Sequence, residues 1–295
     1  MKMQSLSVVV PNKKCINNCK FCVSKMHGCE YVNQIEENKR FADLYERDMI
    51  ARMNFARDNG CNTVMLTGDS EPQTNETFLW HFADWNASLD KPFRKIEMQT
   101  TGAFIDDEKL RFLRNKVGVS SIALSVSSFD DVTNNYIIGT PKNGFINLES
   151  LCSEIKKYDF NLRICLNLQD VGFEHVTCVD DVGFYFMRAR DLMADQLTFR
   201  VIYDDPNSES EESVWCREHK FQQNTVSYIA DYIKQNGRVL DVLEYGQVRY
   251  SVHGISTIID DDCMSAAVKD TAKYCILRPN AKLYTKWDDR ASLIF

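Results

Sequence analysis

An α/β fold, a partial parallel (β/α)6 barrel of the TIM type with a small β-rich C-terminal extension, follows from three features of the sequence. Six strand-like runs alternate with segments of helical period, several runs end in short polar turns, and after Asn236-Gly237 the alternation gives way to closely spaced strands. Strands that are each followed by a helix return parallel to one another, through right-handed crossovers. The expected division is a barrel over 1–236 and an extension over 237–295 packed on it.

Ser5-Leu6-Ser7-Val8-Val9-Val10 is rich in β-branched residues and ends at Pro11-Asn12, a first strand emptying into a loop. From Arg40 to Asn59 apolar residues recur at helical intervals, and Asn59-Gly60 supplies a stop. Thr63-Val64-Met65-Leu66 is a continuous run of the kind expected in a strand covered on both faces. Helices over 77–89, 106–115, 147–158, 179–193 and 225–235 then interleave with strands over 96–99, 121–126, 162–168 and 197–203. The extension reads as strands over 239–245, 248–252, 255–259, 274–277 and 282–285. Two acidic runs, Glu209 to Glu212 and Asp260 to Asp262, are expected in solvated loops.

With 295 residues and 44% hydrophobic content the chain can bury a large core. Met1-Lys2-Met3-Gln4-Ser5 runs directly into a strand, so no secretory leader is expected, and the sequence shows no apolar run of membrane-spanning length. Eleven cysteines in such a chain imply a reducing, cytoplasmic setting with thiols free or bound to metal. A net charge of −7 disfavours a large nucleic-acid partner, which usually meets a basic surface.

The chemistry centres on Cys15-Ile16-Asn17-Asn18-Cys19-Lys20-Phe21-Cys22. Three thiolates spaced C-x₃-C-x₂-C on one short loop suit three corners of a cubane iron–sulfur cluster, leaving one iron open to an exchangeable ligand. Zinc is the competing reading, with His27 or Cys29 as a fourth ligand. After the second strand comes Thr67-Gly68-Asp69-Ser70-Glu71-Pro72, a glycine-bearing turn that puts a carboxylate at the strand's C-terminal end. In a parallel barrel that end is the ligand-binding rim.

The cysteine spacing, with Phe21 before the third thiol, resembles the CxxxCxφC signature of the radical S-adenosylmethionine (SAM) superfamily, and the Glu71 turn resembles its GGE element. The likeness covers roughly residues 5–203 and departs from the usual pattern at Ser70, where many members have glycine. It implies that Cys15, Cys19 and Cys22 hold a [4Fe–4S] cluster and that Glu71, with Gly68 and Ser70 around it, holds the amino group of SAM. Thr100, in a turn after the third strand, then Ser125 and Ser127 after the fourth and Asn167 on the fifth are the further rim positions it suggests for SAM. The implied activity is reductive cleavage of SAM to a 5′-deoxyadenosyl radical that abstracts hydrogen from a small-molecule, nucleotide or peptide substrate. The reaction class is oxidoreductase, transferase or lyase, and the electron comes from a one-electron reductant such as flavodoxin or ferredoxin.

Two other functions stand beside this one, an activase for a glycyl-radical enzyme and a non-catalytic iron–sulfur or zinc regulator with four protein ligands. The segment 277–283 resembles part of the family's GTP-cyclising branch, but that branch's auxiliary cysteine set is absent and its substrate is not carried over. Cys61, Cys152 and Cys165 are expected to pack as small hydrophobes, and Cys263 and Cys275 are too few for an auxiliary cluster. Tyr284, Trp287 and the Asp288-Asp289 pair are candidates to close over the barrel mouth.

Overall fold

The computed structural model describes residues 2–12, 14–26, 42–173, 176–221, 223–243, 246–261, 267–268, 271–287 and 290–295. His27, Cys29, Cys263, Asp288 and Asp289 lie outside them. The strands are β1 (Lys2–Val9), β2 (Thr63–Thr67), β3 (Lys95–Thr100), β4 (Ser121–Val126), β5 (Asn161–Leu168) and β6 (Gln196–Val201), followed by β7 (Gly237–Val242), β8 (Val248–Val252), β9 (Ile255–Asp260), β10 (Ala267–Val268), β11 (Thr271–Leu277) and β12 (Leu283–Tyr284). The helices are α1 (Val23–Met26), α2 (Ala42–Asp58), α3 (Glu76–Ala87), α4 (Asp107–Phe112), α5 (Asp131–Ile138), α6 (Leu148–Lys157), α7 (Gly183–Asp191), α8 (Glu211–Glu218) and α9 (Gln223–Asn236). No helix among the described residues is long and apolar enough to cross a membrane.

One sheet in the order β10-β11-β1-β2-β3-β4-β5-β6-β9-β8-β7 carries the fold, with β12 paired to β11. All neighbours from β11 through β1 and β6 to β9 pair in parallel, whereas β7, β8, β10 and β12 add antiparallel edges. Residues 237–295 therefore contribute β9 and β11 to the same parallel sheet as residues 2–201, one at each flank. The sheet stays open as a hydrogen-bonded ladder, yet it curls far enough for Lys273 on β11 to donate to Asp260 on β9 at 3.0 Å. Arg200 Nε on β6 donates to the same carboxylate at 3.3 Å.

The strands are two-faced. Val64 and Leu66 on β2, Met98 on β3, Ile122 and Leu124 on β4 and Leu197 and Phe199 on β6 are buried in the core between sheet and helices. Each such side chain stabilises the fold by roughly 1.5–3 kcal/mol through removal from water. The alternate residues Thr63, Met65, Thr67, Glu97 and Gln99 face a central cavity instead. The second strand is thus covered on one face only, a departure from the sequence expectation of a strand buried on both. The same period of two explains it, because a hollow barrel leaves its inner row of side chains facing the lumen.

Parts of both acidic runs depart from the loop expectation as well, whereas Glu209 and Asp261 are exposed outside helix and strand as expected and Asp262 lies outside the described residues. Ser210 accepts a hydrogen bond from the Ser213 amide at 3.2 Å and caps α8, so Glu211 and Glu212 occupy a helix's first turn, where the backbone dipoles favour negative charge. Asp260 is buried inside the barrel.

Candidate active site

The cysteine loop lies across the C-terminus of α5. The Asn18 amide donates to the Gly139 carbonyl and the Lys20 amide to the Ile137 carbonyl, both at 3.0 Å. Gly139 caps α5 with φ +63°, and a Cβ there would sit 2.4 Å from the Asn18 carbonyl oxygen. Only glycine combines that left-handed backbone with so close an approach. At the loop's end the Lys25 amide donates to the Cys22 carbonyl at 3.1 Å, and α1 begins. Ser24 on α1 donates to Asp69 at 2.9 Å and Lys25 meets Glu212 of α8 at 3.1 Å, so the loop is fastened to the β2 turn and to α8.

Gly68 serves the same assembly. A Cβ at Gly68 would lie 2.7 Å from the Val10 carbonyl oxygen, where the chain leaves β1 for the cysteine loop. The close approach at this glycine is made to the protein's own backbone.

Glu71 is buried, and its carboxylate joins three segments. Oε1 accepts from Asn17 Nδ2 of the cysteine loop at 3.0 Å and from Thr101 Oγ1 at 2.8 Å. Oε2 accepts from Gln73 Nε2 at 2.9 Å, from the Thr101 amide at 3.2 Å and from the Thr100 hydroxyl. A carboxylate offers about four acceptor positions, so the present donors use them fully. Of these donors the two threonine hydroxyls turn most freely, since each rotates about one bond.

Gly68, Ser70, Glu71, Thr100 and Ser125 line one cavity of about 180 Å³ at the C-terminal ends of the strands, with Thr101, Cys165 and Arg200. Ser70 Oγ is buried there without a hydrogen-bond partner. Asn167 and Ser127 stand behind the cavity wall. Asn167 Nδ2 donates to Ser125 Oγ at 3.0 Å and to Ser127 Oγ at 3.4 Å, so it orients a lining hydroxyl. A larger cavity of about 510 Å³ fills the barrel and shares Thr67, Gly68, Gln99 and Arg200 with the smaller one.

The donor chemistry of the loop fits an iron–sulfur cluster. Burial pushes the Cys15, Cys19 and Cys22 thiols up, Cys19 furthest, and the negative charges of their own trio and of Glu71 add to the effect at Cys15 and Cys19. Such a pocket resists bare thiolates and favours them once iron supplies positive charge. Among the described residues no three Cys, His, Asp or Glu side chains converge as they would around one ion. A cubane sets a different requirement, because each thiolate binds its own iron.

Several contributors carry no sequence signal. Asn17 and Gln73 are ordinary loop residues until the fold brings them to Glu71. Cys165 is buried as expected of a packing residue, but it also faces the smaller cavity. Arg200 reaches both cavities from β6. Trp287 lines the larger cavity, whereas Tyr284 is buried beneath the Arg278 guanidinium, 4.1 Å from its ring centre.

The profile of the radical SAM superfamily matches residues 9–186. No curated protein matches by sequence. Among solved structures the chain is similar to Streptococcus suis SuiB bound to S-adenosylmethionine, with TM-score 0.59, 12% identity, and coverage of 96% of this chain and 60% of that one. It is also similar to native anSMEcpe with bound AdoMet, with TM-score 0.58, 14% identity, and coverage of 96% and 74%. Escherichia coli coproporphyrinogen III oxidase (HemN), a radical SAM enzyme, aligns with TM-score 0.53, 15% identity, and coverage of 80% and 54%. The chain thus spans 60% of the length of SuiB, and at these identities the likeness is one of fold.

Proposed function

This chain belongs to the radical SAM superfamily and is an enzyme whose cofactors are a [4Fe–4S] cluster and SAM, and from that premise we propose specific roles for its residues. Cys15, Cys19 and Cys22 hold the cluster. Glu71 holds the amino group of SAM, with Gly68, Ser70, Thr100 and Ser125 lining the rest of its site. Asn167, backed by Ser127, positions Ser125. When bound, the cluster and SAM supply a 5′-deoxyadenosyl radical that takes hydrogen from a substrate in the adjoining barrel.

The observation that carries this reading is the Glu71 hub. One buried carboxylate binds both the cysteine loop, through Asn17, and the end of β3, through Thr100 and Thr101, so the two halves of the site form together. The strand wall encloses part of the chamber, and in such an enclosure a reactive radical meets fewer stray donors. Free thiols at every described cysteine support a reducing, cytoplasmic setting, and a flavodoxin or ferredoxin is the proposed electron donor. In this reading residues 1–236 form the core and residues 237–295 an extension that completes the flanks of the core's sheet. The substrate is a small molecule, nucleotide or peptide and not a large nucleic acid.

Anaerobic reconstitution followed by dithionite tests the reading. The expected protein is brown and forms 5′-deoxyadenosine. Alanine at Cys15, Cys19 or Cys22 is expected to abolish iron binding, and alanine at His27 or Cys29 to spare it. Iron loss on substituting His27 or Cys29, or a folded, iron-loaded protein that forms no 5′-deoxyadenosine, would overturn the assignment.

A further inference from the structure

The helix that carries the cysteine loop, α5, keeps an apolar outer face in solvent. Given the cluster reading above, on which this inference rests, we infer that this face and the loop beside it seat an acidic flavodoxin, with Val132, Tyr136 and Phe145 as the apolar contact and Lys14, Lys20 and Lys142 as the cations that orient it.

Position is the first argument. The amides of Asn18 and Lys20 donate to the carbonyls of Gly139 and Ile137, so the loop that carries Cys15, Cys19 and Cys22 rests on the last turn of α5. Tyr136 belongs to that turn, and Lys20 Nζ lies 4.4 Å from its ring centre. Lys20 follows Cys19 directly in the chain. A carrier seated on Tyr136 therefore stands next to the loop that holds the thiols.

Surface chemistry is the second. Val132 and Tyr136 are four residues apart on one face of α5, 70% and 61% exposed, and Phe145 is 55% exposed. The Ile146 amide donates to Asn135 Oδ1 of α5 and Asn135 Nδ2 donates back to the Ile146 carbonyl, both at 2.8 Å, so Phe145 is held beside the same helix. Large apolar groups exposed together beside a functional loop mark a contact surface, and tyrosine is enriched in such surfaces.

Charge is the third. Lys14 opens the loop, Lys20 covers Tyr136 and Lys142 follows the Gly139 cap by three residues. Lys25 is paired with Glu212 and adds nothing, whereas no carboxylate of the described residues pairs with Lys14, Lys20 or Lys142. The cation–π contact leaves the charge of Lys20 in place. The acids of this helix, Asp130 and Asp131, lie at its opposite end, where they cap it and bind Asn147 and the Leu148 amide. In a chain of net charge −7 these cations give an acidic partner a preferred point of approach. A flavodoxin brings the planar edge of its flavin within an acidic rim and meets both the rings and the lysines, whereas a ferredoxin meets the charge alone. One electron leaves the reduced flavin and enters the cluster, with no bond made or broken.

Calorimetric titration of the cluster-loaded protein with flavodoxin, at low and at high salt, tests the inference. Flavodoxin is expected to bind, and to bind more weakly as salt rises. Ferredoxin and a basic cytochrome c, the comparison carriers, are expected to bind about tenfold more weakly or worse. Tyr136→Ser and Lys142→Glu should each weaken flavodoxin binding about tenfold and slow cluster reduction by reduced flavodoxin to match. Neither residue holds the cluster or SAM, so reduction by dithionite, which needs no docking surface, and SAM affinity should stay unchanged. Lys234→Glu on α9 makes the same change of net charge elsewhere and should bind flavodoxin as the parent does. Absence of a flavodoxin complex, a preference for ferredoxin or cytochrome c, or folded Tyr136→Ser and Lys142→Glu proteins that bind like the parent overturns the inference. So does a dimer in sedimentation that Tyr136→Ser dissociates, since the face would then meet a second copy. Flavodoxin binding and cluster reduction that depend on these residues, in a protein that neither binds nor cleaves SAM, would instead overturn the SAM-site assignment and leave this inference standing.

Discussion

Replacing Glu71 by glutamine tests whether its carboxylate is the structural hub of the site. The two oxygens accept from Asn17, Gln73, Thr100 and Thr101, and the residue is 5% exposed. Glutamine keeps one acceptor oxygen and presents an amide NH2 where the other stood. Thr100 can turn its hydroxyl to accept from that NH2, but Gln73 Nε2 and the Thr101 amide cannot; each loses one of two acceptors, Gln73 keeping the Ala103 carbonyl at 3.0 Å and the Thr101 amide keeping Oε1 at 3.3 Å. A lost hydrogen bond whose donor keeps another acceptor costs ~0.5–1.5 kcal/mol, so the two should together cost about 1–3 kcal/mol. At about 2 °C per kcal/mol for a chain of this size, the melting temperature should fall by roughly 2–6 °C. Glu71→Ala, which also empties space and releases Asn17, should fall further. The assay is thermal unfolding of the cluster-loaded protein without SAM, so that loss of ligand binding does not contribute. A shift below 1 °C for both variants would refute the hub and leave Glu71 a ligand contact alone.

Two further perturbations follow. Gly139→Ala forces a Cβ to within 2.4 Å of the Asn18 carbonyl in a left-handed backbone, so it should lift the cysteine loop from α5, lower iron retention and reduce the melting temperature. Iron loading and melting equal to the unmodified protein would refute that packing. Burial works against ionisation of Asp260, but Arg200 and Lys273 outweigh it and hold its carboxyl below the usual carboxylate range. Its stabilisation is therefore complete above an unfolded pKa of about 3.9 and is lost as pH falls through the lower, folded value. Melting of the parent should drop more steeply between pH 5 and pH 3, set about that unfolded pKa, than melting of Asp260→Asn. Parallel slopes would show that Asp260 does not titrate against its two cations.

Much of the barrel was legible because its signals are local. Val64 and Leu66, or Ile122 and Leu124, declare a strand through a few consecutive residues, and Asn59-Gly60 ends a helix by its own backbone preference. Weak local signals were lost. The α5 segment Asp131–Ile138 lies on the wall where the cysteine loop docks, yet it is short and two of its buried positions are the asparagines Asn134 and Asn135, which break the apolar period. The Glu211-Glu212 pair reads as a solvated run by charge alone, although the cap at Ser210 makes it a helix start.

The thiol spacing of Cys15, Cys19 and Cys22 and the carboxylate turn at Glu71 are determined by the sequence itself, because each is a motif within a few residues of chain. Their union is not, since Asn17 meets Glu71 across 54 positions and Thr101 across 30. The barrel's interior belongs to the tertiary structure alone. Asp260 looks like one acidic residue among three until the curl of the sheet sets it between Arg200 on the neighbouring β6 and Lys273 on β11, near the other end of the sheet. A sequence records which residues exist and their local period; only the closure of the sheet decides which of them share a dielectric and therefore what charge the lumen presents.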